Sequence, residues 1–191
     1  RVAARAPRKL WACSHLRLAC QITVSEMSIR PSLRVRFLLL AVCAFGLLAG
    51  GLILGEVLRL QPCHLCNLQR LCYMVFGVVA LAGVIAPLAS RVWGSLLALS
   101  AAGGVAAAIE QSWMQYAPQS VNECGFGDPT LTEQLINWLG MKWPAMFMVT
   151  GFCTQKEWTF LGLSLANWSG PCFLGLLVLS LGFFFRRRTA I

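Results

Sequence analysis

The sequence predicts an all-α integral membrane protein, a bundle of four transmembrane helices with a short interfacial helix in its second outer loop. Three observations predict it. Of the 191 residues, 58% are hydrophobic and only 12% charged, where soluble domains carry about 25% charged residues. The apolar residues gather in four uncharged runs, Phe37–Gly55, Leu71–Ala89, Val92–Ile109 and Gly170–Phe185. The basic residues flank these runs and form no separate basic face.

Each element follows in order. Residues 1–34 read as a cytoplasmic tail. The chain begins with Arg, and Met27-Ser28-Ile29-Arg30-Pro31 reads as a bacterial start leading into a span, so residues 1–26 are expected to be an upstream translation or a flexible tail. The membrane domain is expected over 35–188, with spans at 36–55, 71–89, 92–110 and 168–185 and a C-terminal tail at 189–191. At about 1.5 Å per residue the first three runs reach roughly 27–29 Å, near the ~30 Å hydrocarbon thickness. The first is too long for a signal-peptide core, and no small-residue cleavage site follows it. The fourth is short and draws on Leu165, Ala166 and Trp168 at the interface. Residues 89–91 leave room only for an antiparallel hairpin between spans two and three.

The net charge is +9, and eight of the 16 Lys/Arg lie at or before Arg36. Arg91 sits in the hairpin turn, and Arg186, Arg187 and Arg188 follow the fourth run. By the positive-inside rule these regions and both termini are cytoplasmic, and loops 56–70 and 111–167 face the other side. Charges that flank spans argue against nucleic-acid binding. In the second outer loop, Asp128 before Pro129 is one candidate helix cap and the Thr130…Glu133 capping box another. Leu131, Leu135, Ile136 and Leu139 then recur at helical spacing beside Trp138 and Trp143. That pattern fits a short amphipathic helix in the membrane interface, the alternative being a helix packed on other loops.

The topology sorts the nine cysteines. Cys43, Cys72 and Cys172 fall in or at the ends of spans and read as packing residues; Cys13 and Cys20 fall in the tail. Cys63, Cys66, Cys124 and Cys153 share the outer side, where disulfides persist. Cys63-His64-Leu65-Cys66 is a CxxC motif. Zinc would need more ligands: His64 is the one histidine on that side, and Cys124 and Cys153 lack ligand spacing, so no metal centre is expected. Pro62 places the motif at a helix N-terminus, whose free N–H groups favour the reactive thiolate. Arg70 lies one helical turn beyond Cys66. It either snorkels to the interface or stabilises negative charge on Cys66 or on a bound reduced quinone, with Gln69 as a second contact to that headgroup. Cys124 stands in a glycine-containing stretch suited to reaching another protein, although a structural staple from Cys124 to Cys153 is the simpler alternative.

Pro62-Cys63-His64-Leu65-Cys66-Asn67-Leu68-Gln69-Arg70 and the Cys153–Leu163 stretch resemble the disulfide bond formation protein B (DsbB) family, as do Trp113–Pro118 and Asn122–Gly125. The resemblance runs from about Val35 to Phe185. It implies a thiol oxidase of the bacterial inner membrane with ubiquinone or menaquinone as cofactor and a periplasmic thioredoxin-fold partner resembling DsbA. It further implies that Cys124 forms the mixed disulfide with the partner, that Cys153 exchanges with Cys63, and that Cys66 reacts with the quinone. The chain departs from the family where Glu110-Gln111 replaces an Arg-His pair and where Phe152 replaces an Asp. Two other functions compete. A quinone reductase resembling vitamin K epoxide reductase would carry its CxxC late in the chain, and here the order is reversed. A non-enzymatic four-span scaffold with a stapled loop would pass no electrons.

Overall fold

The computed structural model describes residues 32–116, 130–154 and 158–183. Among them the order is α1 (Leu33–Val57), α2 (His64–Ile85), a 3-10 turn (Pro87–Ala89), α3 (Ser90–Tyr116), α4 (Leu131–Lys142), α5 (Pro144–Phe147), a hairpin of β1 (Thr159–Phe160) and β2 (Leu163–Ser164), and α6 (Leu165–Leu181). Helices α1, α2 and α3 are long and apolar enough to cross a membrane, and α6 is a shorter apolar helix. The expected spans therefore appear in order, with shifted ends. Helix α2 starts at His64, earlier than Leu71, because the Cys63 sulfur caps it by accepting from Cys66 N–H. It stops at Ile85, before Pro87, which has no N–H to donate. Helix α3 runs past Glu110 and Gln111 to Tyr116. Helix α6 starts at Leu165, where Ser164 accepts from Asn167 N–H.

Helix α1 packs on α2, α2 on α3, and α3 on α6. Phenylalanine rings seat on glycines of the facing helix: Phe45 on Gly77, Phe37 on Gly83 and Phe173 on Gly104, while Phe183 covers Gly94. A β-carbon at any of the four glycines would overlap the ring or its stem. Phe37 stacks on Phe183 at 4.5 Å between centroids, and Tyr73 on Phe173 at 4.0 Å. Phe37, Ala44, Phe76, Leu97 and Phe173 make the buried interior. The outward residues are as apolar, Leu39, Val42, Leu99 and Val178 among them, the pattern of a bundle solvated by hydrocarbon.

Of the two caps considered for the loop helix, Asp128 lies outside the described residues, and Thr130 caps α4 in a reciprocal box with Glu133. Ile136 and Leu139 bury against Phe147, Leu68 and Leu71, so one face of α4 packs on the head of α2. The other face leaves Leu131, Trp138 and Met141 exposed, as an interfacial helix requires.

Candidate functional site

The site is built where the chain enters α2. Cys63 is its cap, and the Cys63 and Cys66 sulfurs lie 3.0 Å apart. Cys63 is buried and Cys66 half-buried, and both border one cavity. The segment after α5 comes back over this corner. Thr150 and Gly151 N–H both donate to the Pro62 carbonyl, at 3.0 and 3.2 Å. Gly151 lies against Gln61 so closely that a β-carbon there would overlap the Gln61 carbonyl. Two residues on, Cys153 comes near enough to Cys63 for each to shift the other's protonation, and the N–H groups of Leu65 and His64 also act on the Cys153 sulfur. Three of the four cysteines singled out from the sequence thus meet in one row, in the order Cys153, Cys63, Cys66. Cys124 lies outside the described residues.

The row is electrostatically uneven. Hydrogen bonding to Cys153 first, then to Cys66, together with burial, raises the Cys63 thiol far above the usual range. Cys153 moves the other way: the hydrogen bond from Cys63 and the N–H groups of Leu65 and His64 hold it low, against the effect of burial. Cys63 therefore holds its proton more firmly than Cys153 does.

Arg70 is fixed by donation to Asn67 Oδ1 at 3.2 Å and to the Met146 carbonyl at 3.0 Å. Asn67, fully buried, donates in turn to the Phe147 and Met148 carbonyls at 2.9 and 3.3 Å. The guanidinium charge acts on Cys66, Glu56 and Cys63. Gln69 has both ends engaged: Nε2 donates to Gln111 Oε1 at 3.1 Å, and Oε1 accepts from the Ser169 hydroxyl at 2.7 Å. Gln111 then donates to Cys66 Sγ at 3.2 Å and to Cys63 Sγ at 3.7 Å.

A cavity of about 350 Å³ opens beside the sulfurs. Its walls include Leu48, Leu52, Gly50 and Gly51 of α1, and its polar end carries Cys66, Gln69, Arg70 and Gln111. Phe152 borders it, as does Cys172, so Cys172 is a cavity residue and not simply core. Cys43 is exposed, unlike the packing residue the sequence suggested. Sequence reasoning treated Gln111 only as a departure and passed over Asn67, Glu56 and Ser169. A usable signal was present for the first: an amide near the end of an apolar span is costly unless it has a partner.

A family model described as Disulfide bond formation protein DsbB matches residues 33–183. The chain is 43% identical over 157 residues to a Disulfide bond formation protein B of Dechloromonas aromatica (strain RCB), covering 82% of this chain and 95% of the relative. It is 42% identical over 158 residues to one from Azoarcus sp. (strain BH72), covering 80% and 94%. A third, from Aromatoleum aromaticum, is 38% identical over 162 residues, covering 82% and 95%. With the matched segment enclosing the helical bundle and the sulfur row, this chain belongs to the disulfide bond formation protein B family, a four-span membrane protein of disulfide bond formation.

Proposed function

We propose that this chain is a protein-disulfide:quinone oxidoreductase that reoxidises a periplasmic DsbA-like dithiol protein. The observation that carries the reading is the sulfur row, with Cys153 against Cys63, Cys63 against Cys66 at 3.0 Å, and a cavity at the Cys66 end. Exchange along it balances at every step. A partner thiolate attacks Cys124 of a Cys124–Cys153 disulfide, forming the mixed disulfide and releasing the Cys153 thiolate. The partner's second thiolate resolves that bond, so the partner leaves oxidised and Cys124 reduced. The Cys153 thiolate released in the first step attacks Cys63, breaking Cys63–Cys66 and releasing the Cys66 sulfur toward the cavity. Cys124 then attacks Cys153, restoring its disulfide and leaving Cys63 and Cys66 reduced.

The cavity fits a quinone of the ubiquinone or menaquinone class. Its volume lies within the ~300–1,000 Å³ common to small-molecule sites, its walls are apolar, and its polar end offers the Arg70 cation and an amide beside a reactive sulfur. A bound quinone takes up two electrons and two protons and so supplies the oxidising power. Arg70 would hold an oxygen of its headgroup at the polar end, where Gln69 also lies, and the apolar walls exclude water. The basic residues up to Arg36 and at Arg91 support a sulfur row on the periplasmic side of the inner membrane with both termini cytoplasmic.

The test is reduction of a quinone analogue by a reduced thioredoxin-fold dithiol protein, with the purified chain in detergent. Electron transfer is expected in the wild type and lost in Cys66→Ser. Activity persisting in Cys66→Ser overturns the route, and none in the wild type returns the chain to a scaffold.

A further inference from the structure

Behind the sulfurs, polar side chains from three different helices form one directional row. The Ser169 hydroxyl of α6 donates to Gln69 Oε1 of α2 at 2.7 Å. Gln69 Nε2 donates to Gln111 Oε1 of α3 at 3.1 Å. Gln111 Nε2 ends the row on Cys66 Sγ and Cys63 Sγ. Gln69 and Gln111 are both buried, so each amide end needs a partner inside the protein.

An amide has one donor end and one acceptor end. Were Gln69 turned over, its carbonyl would face the Gln111 carbonyl, and Gln111 would have to turn too. Its carbonyl oxygen would then face the sulfurs. The two amides therefore turn together or not at all. The Ser169 hydroxyl can donate to Gln69 Oε1 or, with its proton on another acceptor, accept from a turned amide, so the place of that proton decides which end of Gln69 faces Gln111. That hydroxyl also lies 2.6 Å from the Ala166 carbonyl. Ala166 is inside α6, where the helix ladder already supplies its carbonyl with a donor. The hydroxyl proton gains more on Gln69.

We propose that Ser169 is a positioning residue: acting through Gln69, it sets the Gln111 amide with its NH₂ end toward Cys66 and Cys63. A sulfur carrying negative charge between exchange steps then meets a donor in place of a lone pair. The consequence for turnover rests on the oxidase reading, whereas the amide alignment is a property of the reduced protein by itself.

The test uses the full chain, reduced and purified in detergent, with brief iodoacetamide treatment at neutral pH and peptide mass analysis of Cys66. In Ser169→Ala, Cys66 alkylation is expected to slow about tenfold, the worth of one charge-assisted hydrogen bond. Ser169→Thr keeps the hydroxyl and is expected to restore the wild-type rate. The pH–rate profile of quinone reduction should move in Ser169→Ala and not in Ser169→Thr. An unchanged Cys66 rate in Ser169→Ala overturns the proposal, and equal slowing in both variants assigns the effect to packing and overturns it as well. A wild-type chain that reduces no quinone would remove the oxidase reading, while the alkylation comparison would still decide the role of Ser169.

Discussion

Gly151 is the residue whose replacement tests the sulfur row most directly. A β-carbon there would overlap the Gln61 carbonyl oxygen and lie 3.0 Å from both Gln61 C and Gln61 Cβ. Carbon contacts are comfortable at about 3.5–4.0 Å, so the two backbones must part by roughly 1 Å. Neither gives way easily, since Thr150 and Gly151 are both hydrogen-bonded to Pro62. In Gly151→Ala the retreat is passed to Cys153, two residues away. A misplacement of about 1 Å between reacting atoms costs on the order of 100-fold in rate, or about 2.7 kcal/mol of barrier. The assay places Gly151→Ala in a Cys66→Ser, Cys124→Ser background and follows diamide-driven formation of the Cys63–Cys153 disulfide by peptide mass analysis. Crosslinking is expected to slow about 100-fold while the melting temperature stays near that of the background protein. A folded variant that crosslinks at the background rate would refute the claim that loop docking on Gln61 and Pro62 sets the Cys153–Cys63 approach.

Further predictions concern protonation, anchoring and affinity. Cys153 is held low, so its thiolate survives as pH falls below the ordinary thiol midpoint of about 8.5, whereas Cys63, raised by the same contact, stays protonated there. Iodoacetamide titration of the reduced protein should show Cys153 reacting at lower pH than Cys63, and the reverse order would contradict the assignment. Asn67→Ala removes the donor to the Phe147 and Met148 carbonyls and the acceptor for Arg70. It should cost about 2–3 kcal/mol, read as a lowered melting temperature, and no change would mean that water replaces the amide. Arg70→Ala should raise the apparent KM for quinone while the disulfides still form, and an unchanged KM would leave Arg70 only its structural tie to Met146.

What was legible in the sequence is what local signals carry. The CxxC motif behind Pro62, the Thr130–Glu133 capping box and the run lengths each depend on residues within a turn or two, and all reappear in the fold. The apolar span was begun only at Leu71 because the polar first turns, His64 to Arg70, carry no hydropathy signal, whereas Pro62 already marked the helix start where the Cys63 cap stands. Gln69 read as a headgroup contact, but its partners come from 42 and 100 residues away. The same holds for Asn67 and the 146–148 turn, and for Gly151 on Gln61. No short-range pattern encodes such pairs, since they exist only once the helices have assembled.

The rings of Phe37, Phe45 and Phe173 seated on glycines act as pegs in sockets. Sliding one helix along another would drive each peg into the backbone on either side, so axial slippage is blocked twice between α1 and α2 and once between α3 and α6. The transmembrane frame then serves as a fixed ruler, and the height of Cys63 and Cys66 relative to the cavity stays constant from one cycle to the next. On the oxidase reading proposed above, any travel of Cys153 falls to the 148–154 segment moving over a stationary frame. That segment is a short strap held to the frame by two amides on the Pro62 carbonyl.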